Sequence, residues 1–497
     1  MPLNLSNRDQ NSGHLFYNRR LRAAITRFSV RMKHDDRKQQ AAVALSVVLV
    51  LIGCGWMGLL HFMKPAGLVG QSAIVGNRDT GALYARIGDR FYPALNLTSA
   101  RLATGSAASP TWVTAAEIAK HPTGPMIGIP GLPDDLTVSA SEMSAWSLCD
   151  TAPAAGTAAP PTVTAIAGPL TGDRARPMGD SQAVLATHRG DTYLIWNGQR
   201  TQVDLSDRSV VFNLGLDPGT TAPVEMSTAL FDALPATEPL VVPTIPDAGT
   251  PSRWLPDAVV GRVLETDDAN GAASGFYILL ADGIQKITAF VADLVRTADS
   301  QGVTAPQVVS PDKVVDIPQV DALNVDFYPT RKLEFVDTKA NPVTCVGWRK
   351  QSTDRQAVVT IFTGRGLPTP QARDTHVVHL VRDSRDPAST EANETLILPN
   401  AANFVASTSG VASSDTRESL FWVSPQGVRY GLEWNRDTLQ ALGIDPGRAV
   451  QAPWPILRTF APGPAITRSA ALLARDAIDA GGSAVPIVPG ADGIGGR

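Results

Sequence analysis

The sequence predicts a β-rich α+β protein with a basic amphipathic helix at its N-terminus, one transmembrane helix and a large body after the span. Three observations predict this class. Residues 41–63 form an apolar run without a formal charge. Glycine and proline are frequent, at 42 and 38 of 497 residues, which favours short strands and turns over long helices. Four segments of the body repeat a pattern of two strands joined at a glycine.

Residues 1–40 predict an amphipathic helix. Ser12 can cap a helix that begins near Gly13. Apolar residues then recur every three or four positions, as on one face of a helix, and arginines occupy the remaining surface. Two interpretations stay open, because such a helix can lie on anionic lipid headgroups or can dock a cytoplasmic partner. The residues predicted for docking are Tyr17, Arg19, Arg20, Leu21, Arg27, Phe28 and Met32.

The apolar run at 41–63, AAVALSVVLVLIGCGWMGLLHFM, predicts a transmembrane helix. A helix of this length reaches about 35 Å, enough to cross a hydrocarbon core of roughly 30 Å. Residues 1–40 carry nine Lys and Arg against three Asp, whereas 64–90 carry four basic and two acidic residues. Because a basic excess beside a span marks its cytoplasmic side, we expect the N-terminus inside and the body outside. The alternatives are a cleaved signal peptide and a lipoprotein signal at Cys54. The long leader argues against a signal peptide, and the continuation of the apolar run past Cys54 argues against a lipoprotein signal.

Composition and cysteine count limit the classes of function. With 43% apolar and 18% charged residues and a net charge of −4, the chain lacks the concentrated basic surface typical of a nucleic-acid-binding protein. Cys54 lies in the predicted span, so Cys149 and Cys345 remain on the predicted outer side, where oxidising conditions favour a disulfide between them. Closing a loop of about 200 residues would stabilise the fold by about 5 kcal/mol in the chain-entropy model. The alternative is a pair of buried thiols.

Four segments of the body predict β-β-α units, each with two strands, a glycine turn and a polar residue that can begin a helix. One such unit is too small to bury its own apolar face, so we expect each to pack on neighbours or on a shared core. Hairpins are common, so the likeness among the four can also arise by chance. The segments are LYARIGDRFYPALNLTSARL (83–102), TYLIWNGQRTQVDLSDRSVV (192–211), FYILLADGIQKITAFVADLV (276–295) and LFWVSPQGVRYGLEWNRDTL (420–439).

Turn chemistry supports the hairpins. Asn197-Gly198 and Asp282-Gly283 are strong hairpin signals because both central positions tolerate positive φ. The helix starts are expected at Thr98, Ser206 and Asn435. The four predicted turn glycines are Gly88, Gly198, Gly283 and Gly427.

Composition shifts divide the body. Pro/Ala/Thr-rich stretches at 151–162 and 235–251 predict extended linkers. A strand-rich stretch at 306–390, which contains Cys345, interrupts the units and predicts a central domain. Residues 465–480 predict one short helix before a Gly/Pro-rich tail. The predicted divisions are 1–40 (docking helix), 41–63 (span), 64–150 (first repeat region), 151–235 (linker and second repeat), 251–305 (third repeat), 306–390 (central domain), 391–460 (fourth repeat) and 461–497 (helix and tail).

No motif in the sequence indicates catalysis. The chain has no Gly-Lys dipeptide, which a phosphate-binding P-loop requires, and no GxSxG nucleophile elbow. His376 and His379 lie three apart in HVVHLV, which reads as a strand and would place them on opposite faces. His121 and His188 are isolated and are expected in loops or on the surface. We therefore predict no catalytic residue, no metal site and no cofactor.

Several segments together resemble the EccB family, a core membrane component of the mycobacterial type VII (ESX) secretion system. The segment at 12–32, SGHLFYNRRLRAAITRFSVRM, is similar to the family's Arg-rich N-terminal signature, and the single span follows it. The segment at 81–102, GALYARIGDRFYPALNLTSARL, is the most specific match. Cys149 in WSLCD and Cys345 in VTCVGW stand where the family has paired cysteines. The chain departs from the usual signature at Arg22 and Ser29 and in DDRKQQ, which makes its predicted docking helix more basic.

This resemblance implies an inner-membrane subunit that assembles with EccC, EccD, EccE and other EccB copies for protein export. It implies an elongated periplasmic body of four repeat domains around a central domain, tied by a disulfide. The main expectation is a scaffold without catalytic activity. Likeness of the repeats to phage-lysin wall-binding modules implies an alternative, an envelope anchor that binds peptidoglycan. Some relatives carry an ATPase label, which implies a further alternative, a nucleotide hydrolase.

Overall fold

In the computed structural model, the chain divides into two compact units. The first holds the two N-terminal helices with residues 77–79 and 111–120, and the second holds the rest of the body. The described residues form a strand-rich mixture of α and β structure, which confirms the predicted class. The structure describes residues 8–28, 33–62, 69–154, 157–217, 221–267, 273–381 and 390–478.

Most helices of the body are short, and several begin at a side chain that accepts a hydrogen bond from their first turn. Asn435 caps α9 where a start was expected, but Asn96 and Asp207 cap α3 and α5 in place of Thr98 and Ser206. The α-helices are α1 (Arg8–Arg27), α2 (Lys33–Phe62), α3 (Leu97–Thr104), α4 (Ala115–Ile118), α5 (Arg208–Leu214), α6 (Thr228–Ala233), α7 (Ala289–Ala298), α8 (Pro311–Val315), α9 (Arg436–Leu442), α10 (Trp454–Leu457) and α11 (Arg468–Ala471).

Two predicted helix bounds are wrong. Helix α1 begins at Arg8, so Ser12 lies inside it rather than at its cap. The helix predicted over 465–480 is only the four residues of α11, and the chain then extends into a strand at Ala474–Arg475. That strand pairs with Met126 and Ile127, so long-range pairing overrides the local helix propensity of this alanine-rich stretch.

The described strands are two to nine residues long. Two 3₁₀ helices, Gln371–His376 and Pro446–Arg448, lie among them. In chain order the strands are β1 (Ile74–Asn77), β2 (Leu83–Ile87), β3 (Arg90–Ala94), β4 (Thr111–Val113), β5 (Met126–Ile127), β6 (Met143–Thr151), β7 (Thr162–Ala167), β8 (Ala175–Pro177), β9 (Gln182–His188), β10 (Asp191–Trp196), β11 (Gln199–Gln202), β12 (Val224–Glu225), β13 (Val263–Asp267), β14 (Ala273–Leu279), β15 (Ile284–Ile287), β16 (Gln307–Val308), β17 (Glu334–Phe335), β18 (Val343–Gln351), β19 (Val358–Gly364), β20 (Val378–His379), β21 (Glu394–Ile397), β22 (Phe404–Thr408), β23 (Leu420–Val423), β24 (Val428–Leu432), β25 (Val450–Pro453), β26 (Ala461–Pro462) and β27 (Ala474–Arg475).

Each of the four predicted segments folds as a hairpin followed by a helix. We call these parts module 1 (β2, β3, α3), module 2 (β10, β11, α5), module 3 (β14, β15, α7) and module 4 (β23, β24, α9). In every module an additional strand precedes the hairpin and pairs antiparallel with its first strand, namely β1, β9, β13 and β22. The hairpin found in the sequence is therefore two strands of a three-stranded meander.

The chain closes modules 2, 3 and 4 in the same way. After the helix, a short strand pairs parallel to the first strand of the meander, as β12 does with β9, β16 with β13 and β25 with β22. A second short helix follows directly, which is α6, α8 and α10 respectively. A last segment then runs parallel to the third strand, through Leu240, Gln319 and β26. The sequence did not indicate these closing elements because they are too short to carry a pattern.

The modules bury their apolar faces in cores that they share. One core joins module 2 to module 3, through residues such as Leu194, Leu214, Ile278 and Leu294. A second core joins module 1 to module 4, for example Leu102 to Leu439. These pairs bury apolar area that no single module could cover.

A seven-stranded central sheet lies between these pairs, with the strand order β20-β21-β7-β6-β18-β19-β8. Its strands come from two stretches, 143–177 and 343–397, whereas the sequence suggested a central domain at 306–390. Residues 307–335 instead supply β16, α8 and β17. Strand β16 pairs with β13 beside module 3 and is followed by α8, and β17 pairs with β9 beside module 2. Strand β6 pairs with nearby β7, but its other neighbour, β18, lies about 200 positions away, and the local sequence pattern does not indicate that pairing.

Two of the turn glycines serve different purposes. Asn197 and Gly198 both have positive φ, at 45° and 77°, as the two-residue hairpin turn requires. Neither Asp282 nor Gly283 has positive φ, so the reason predicted for that turn is wrong. Gly283 instead lies against the backbone, because an added Cβ would be 2.2 Å from the carbonyl oxygen of Pro318. Its lack of a side chain admits the segment that closes module 3.

Candidate functional site

The apolar helix α2 matches the predicted span. Within it, Gln40–Leu59 is long and apolar enough to cross a membrane, and this is the one such helix among the described residues. All side chains of that window are exposed, including Trp56 and Met57. A fully exposed apolar surface of this length is unfavourable in water and favourable in a lipid bilayer. The helix itself begins at Lys33, so the basic residues before the span belong to the same helix.

Helix α1 carries the predicted docking residues up to its last turn. Tyr17 and Leu21 are one helical turn apart and share a face, and both are exposed, by 60% and 42%. Arg19, Arg20 and Arg27 lie on the same helix, which ends at Arg27. An unpaired apolar stripe flanked by arginines is suited to bind either an anionic membrane surface or a partner helix.

The end of α1 differs from the predicted continuous stripe. Phe28 follows the helix with φ of 51° and is 97% exposed, so it lies outside the helical repeat. Met32, the last predicted docking residue, lies outside the described residues. The exposed apolar stripe of α1 therefore runs through Ile25, and Phe28 lies beyond the end of the helix.

Strands β6 and β18 form the centre of the body. They pair antiparallel over nine residues each, and Cys149 lies directly opposite Cys345. A disulfide joins the two, with an S–S distance of 2.08 Å, and both cysteines are fully buried. Cys54, in the apolar helix, is a free exposed thiol. The covalent link therefore joins the two stretches that build the central sheet.

The two faces of this strand pair bury different groups, because side chains alternate along a strand. Trp146 and Trp348 are cross-strand neighbours on one face and pack with Leu230 of α6 and Ile456 of α10 in a third shared core. The disulfide lies on the other face with Ile166 and other apolar side chains.

Beside the disulfide, the second face is only partly covered. An open cavity of about 280 Å³ lies there, with Ser147 and Gly347 as opposite partners in its floor. An added Cβ at Gly347 would lie 2.9 Å from the Phe362 ring, so glycine keeps this space open. Arg349 and Thr360 also line it. The cavity is a surface concavity of mixed polarity, without a cluster of titratable groups.

The structure places His188, His376 and His379 in separate environments. His376 ends a 3₁₀ helix and His379 lies in β20, so HVVHLV is not one strand as predicted. His379 contacts the Glu394 carboxylate through Nδ1 at 3.1 Å. His188 is buried, not superficial as predicted, and stacks on Phe231 with 4.3 Å between ring centroids. In the described part of the chain, no three His, Cys, Asp or Glu side chains are grouped to hold a metal ion.

A wide groove lies along α9 in module 4. Its volume is about 600 Å³, and it is lined by Trp434, Arg436, Gln440 and Asp445 among others. The Trp434 side chain is 49% exposed, which is unusual for so large an apolar group. A flat aromatic face with planar polar groups beside it is suited to stack on a ring and to hydrogen-bond its substituents.

The chain is similar over nearly its full length to known secretion proteins. A family model described as "Type VII secretion system ESX-1, transport TM domain B" matches residues 3–480. The chain is 62% identical over 479 residues to "ESX-2 secretion system ATPase EccB2" of Mycobacterium tuberculosis (strain ATCC 25618 / H37Rv), covering 96% of this chain and 97% of that protein. It is 38% identical over 488 residues to "ESX-5 secretion system ATPase EccB5" of Mycobacterium marinum (strain ATCC BAA-535 / M), covering 96% and 95% of the two chains.

Solved structures give the same result. A chain of an intact ESX-5 inner membrane complex is 36% identical, with a TM-score of 0.74, covering 98% of this chain and 99% of that one. A chain of an EccB3 dimer from the ESX-3 core complex is 35% identical, with a TM-score of 0.71, covering 81% and 100%. The likeness therefore extends over both the N-terminal helices and the body.

Replacing Cys149 with Ser tests the disulfide. In denaturant without reductant, the wild-type chain should expose one thiol, Cys54, to an alkylating reagent, and Cys149→Ser should expose two because Cys345 is released. Mass spectrometry of the alkylated peptides counts them. The variant should also lose about 5 kcal/mol of stability in the chain-entropy model, seen as a lower midpoint of thermal unfolding. Equal alkylation of Cys345 in both proteins would refute the link.

Proposed function

The chain belongs to the EccB family of type VII (ESX) secretion systems, and from this premise we propose that it is a structural subunit of an inner-membrane secretion complex. Its body contributes to the periplasmic part of that complex, and its N-terminal helices hold it to the membrane and to partners. The observation that carries this proposal is the full-length match to a chain of an intact ESX-5 inner membrane complex. The shared cores, which hold the modules and the central sheet together, support this scaffold role.

We propose that the N-terminus is cytoplasmic and that the body is periplasmic. The basic excess of residues 1–40 supports this orientation, because positively charged segments beside a span are retained inside. The buried disulfide between Cys149 and Cys345 supports it as well, because such links persist in oxidising compartments. Both observations support the same orientation of the chain.

Protease treatment of intact spheroplasts tests the orientation. Protease added from outside should remove the body and leave a protected N-terminal fragment of roughly 60 residues, detected through a tag at residue 1, because only the stub and span are shielded. The same treatment after detergent lysis should remove the tag too, which controls for its susceptibility. A body that survives in intact spheroplasts would show the opposite orientation.

We propose further that α1 docks cytoplasmic parts of the complex, with EccC, EccD and EccE as the partners that family membership suggests. The exposed stripe through Tyr17, Leu21 and Ile25 supports a helix-in-groove contact. The arginines beside this stripe suggest that the partner's groove has an acidic rim, because complementary charges fix the register of such contacts. Lipid headgroups are the other candidate for the same face.

Reversing the charge of α1 separates docking from membrane attachment. The triple variant with Arg19, Arg20 and Arg27 changed to Glu should lose co-purification of the cytoplasmic partners by tenfold or more, while the chain stays in the membrane fraction through α2. A matched control changes three exposed arginines of the body, Arg90, Arg189 and Arg355, to Glu. Intact co-purification of the α1 variant would contradict the docking role and would favour lipid headgroups as the ligand of this face.

The four modules and the central sheet are proposed as the contact surfaces between copies of this chain. A related chain forms a dimer in a core complex, which supports self-association of this family. Two modules that share a core hold their outer surfaces in a fixed position relative to each other. Such a pair can make the same contacts with every neighbouring copy in a symmetric assembly. The domain divisions are proposed on the same basis, as four modules around the disulfide-linked sheet.

Peptidoglycan binding is a second candidate function, and the groove of module 4 favours it. Exposed Trp434 beside Arg436 and Gln440 is suited to a sugar ring with polar substituents. The full chain in detergent should be retained on purified wall, and Trp434→Ala should reduce retention several-fold because the stacking surface is removed. Trp254→Ala is the matched control, since that indole already contacts the Ala281 carbonyl. Lack of retention of the wild-type chain would exclude this candidate.

A further inference from the structure

The open cavity on the second face of the central sheet has a floor of small side chains. Ser147 of β6 and Thr360 of β19 are the two cross-strand neighbours of Gly347 in β18, so the three residues lie side by side across the sheet. Ala145, two residues before Ser147, lines the cavity as well. Small residues in the middle of a sheet leave space above the strands that a group from outside can occupy.

Two hydroxyl groups of this floor lack a hydrogen-bond partner. Ser147 is only 2% exposed, yet it lines the cavity, and within the described part of the chain its hydroxyl forms no hydrogen bond. The hydroxyl of half-buried Thr360 is likewise unpaired among the described residues. A hydroxyl group that loses contact with water destabilises a complex unless a new hydrogen bond forms. A ligand of this cavity therefore needs polar atoms at its centre.

Arg349 is the one charged residue among the described residues that line the cavity. It follows Gly347 by two positions on the same face of β18, which places it about 7 Å further along the strand. Its side chain is exposed, and its cross-strand neighbours are Ala145 and Val358, which carry no charge. Throughout the described ranges its guanidinium forms no ion pair and no hydrogen bond. An unpaired guanidinium at this position is suited to bind a carboxylate through two parallel hydrogen bonds.

The end of the cavity on the other side of Gly347 is apolar. Phe362 lies there as the cross-strand neighbour of Cys345, and an added Cβ at Gly347 would be 2.9 Å from its ring. Leu170 and Pro177 complete this wall. Along the strands the cavity therefore offers an apolar wall, then two hydroxyl groups, then a positive charge.

The size of the cavity favours part of a larger ligand over a whole small molecule. Its volume of about 280 Å³ is slightly below the roughly 300–1,000 Å³ of typical small-molecule sites, and it is open to solvent. An extended peptide projects alternate side chains to the same side about 7 Å apart, which matches the separation of Gly347 and Arg349. Its own N–H and C=O groups lie between those side chains and can exchange hydrogen bonds with hydroxyl groups.

We propose that this cavity binds an extended peptide segment of a partner protein, in which a bulky apolar residue is followed two positions later by Asp or Glu. The apolar side chain lies over Gly347 against Phe362, and the carboxylate pairs with Arg349. Peptide groups of the segment exchange hydrogen bonds with the hydroxyls of Ser147 and Thr360. The different characters of the two ends fix the direction of the peptide. This site involves neither α1 nor the groove of module 4, so it is independent of the proposed secretion role.

Synthetic peptides that differ at one position test the proposal. The full chain in detergent micelles is immobilised, and its binding of Gly-Leu-Gly-Asp-Gly, Gly-Ala-Gly-Asp-Gly and Gly-Leu-Gly-Lys-Gly is compared by surface plasmon resonance. All three peptides are acetylated and amidated, so that no terminal charge contributes. The first should bind about tenfold more tightly than the third, because only a carboxylate pairs with the guanidinium. It should also bind several-fold more tightly than the second, because alanine buries less apolar surface.

Arg349→Glu separates recognition of the peptide from a structural effect. In this variant the lysine peptide should bind more tightly than the aspartate peptide, because the charge of the site is reversed. Arg355→Glu is the matched control and should keep the wild-type preference, since this exposed arginine lies between β18 and β19 and does not line the cavity. Thr360→Val removes one hydroxyl with little change of shape. It should weaken binding of the aspartate peptide several-fold and keep the advantage of that peptide over the lysine peptide.

Several results would overturn the proposal: no binding of any peptide, equal affinity for all three, or an Arg349→Glu variant that keeps the wild-type charge preference or binds both charged peptides equally weakly. If the peptides fail to bind, two measurements identify another occupant. A dimer of the wild-type chain that Arg349→Glu dissociates, seen by analytical ultracentrifugation, would assign the cavity to a second copy of this chain. Binding of decanoate would instead assign it to a free acyl chain.

Discussion

The body depends on the pairing of β6 with β18, because this strand pair contributes to two cores at once. On one face, Trp146 and Trp348 are buried against α6 and α10, and burial of each such aromatic side chain stabilises the fold by about 3 kcal/mol. On the other face, Cys149 and Cys345 link the same strands covalently. Modules 2 and 4 both bury apolar side chains in the core that this strand pair builds, so the pair fixes where these two modules are held.

Local patterns of the sequence predicted those features that local forces determine. The span at Gln40–Leu59 follows from an uncharged run, and the hairpin at Asn197-Gly198 follows from the φ preferences of two residues. Gly283 shows the limit of such reasoning, because its turn was predicted from a tolerance of positive φ, and its φ is not positive. Its real constraint is the approach of Pro318, which sequence order alone does not reveal.

Features that arise from pairing between distant residues could not be predicted in this way. The central sheet combines β6, β7 and β8 with strands near residue 350, and neither stretch shows its partner in its own pattern. The same holds for Asp150, whose carboxylate accepts hydrogen bonds from Ser227, a residue 77 positions further along the chain. The helical conformation of α1 was predicted better than the pairing of the body, because an amphipathic helix is defined by its own spacing.

The nested order of the module pairs has a consequence for biogenesis. Module 3 finds its partner, module 2, soon after it has been synthesised, because the two are neighbours along the chain. Module 1 is made first but shares its core with module 4, and its sheet is completed by Ala474 near the far end of the chain. The first module to be synthesised must therefore stay incomplete until almost all of the polypeptide has been made. A chaperone that shields its apolar face during this interval would find its binding site in the residues that later contact Leu439 and Ile466.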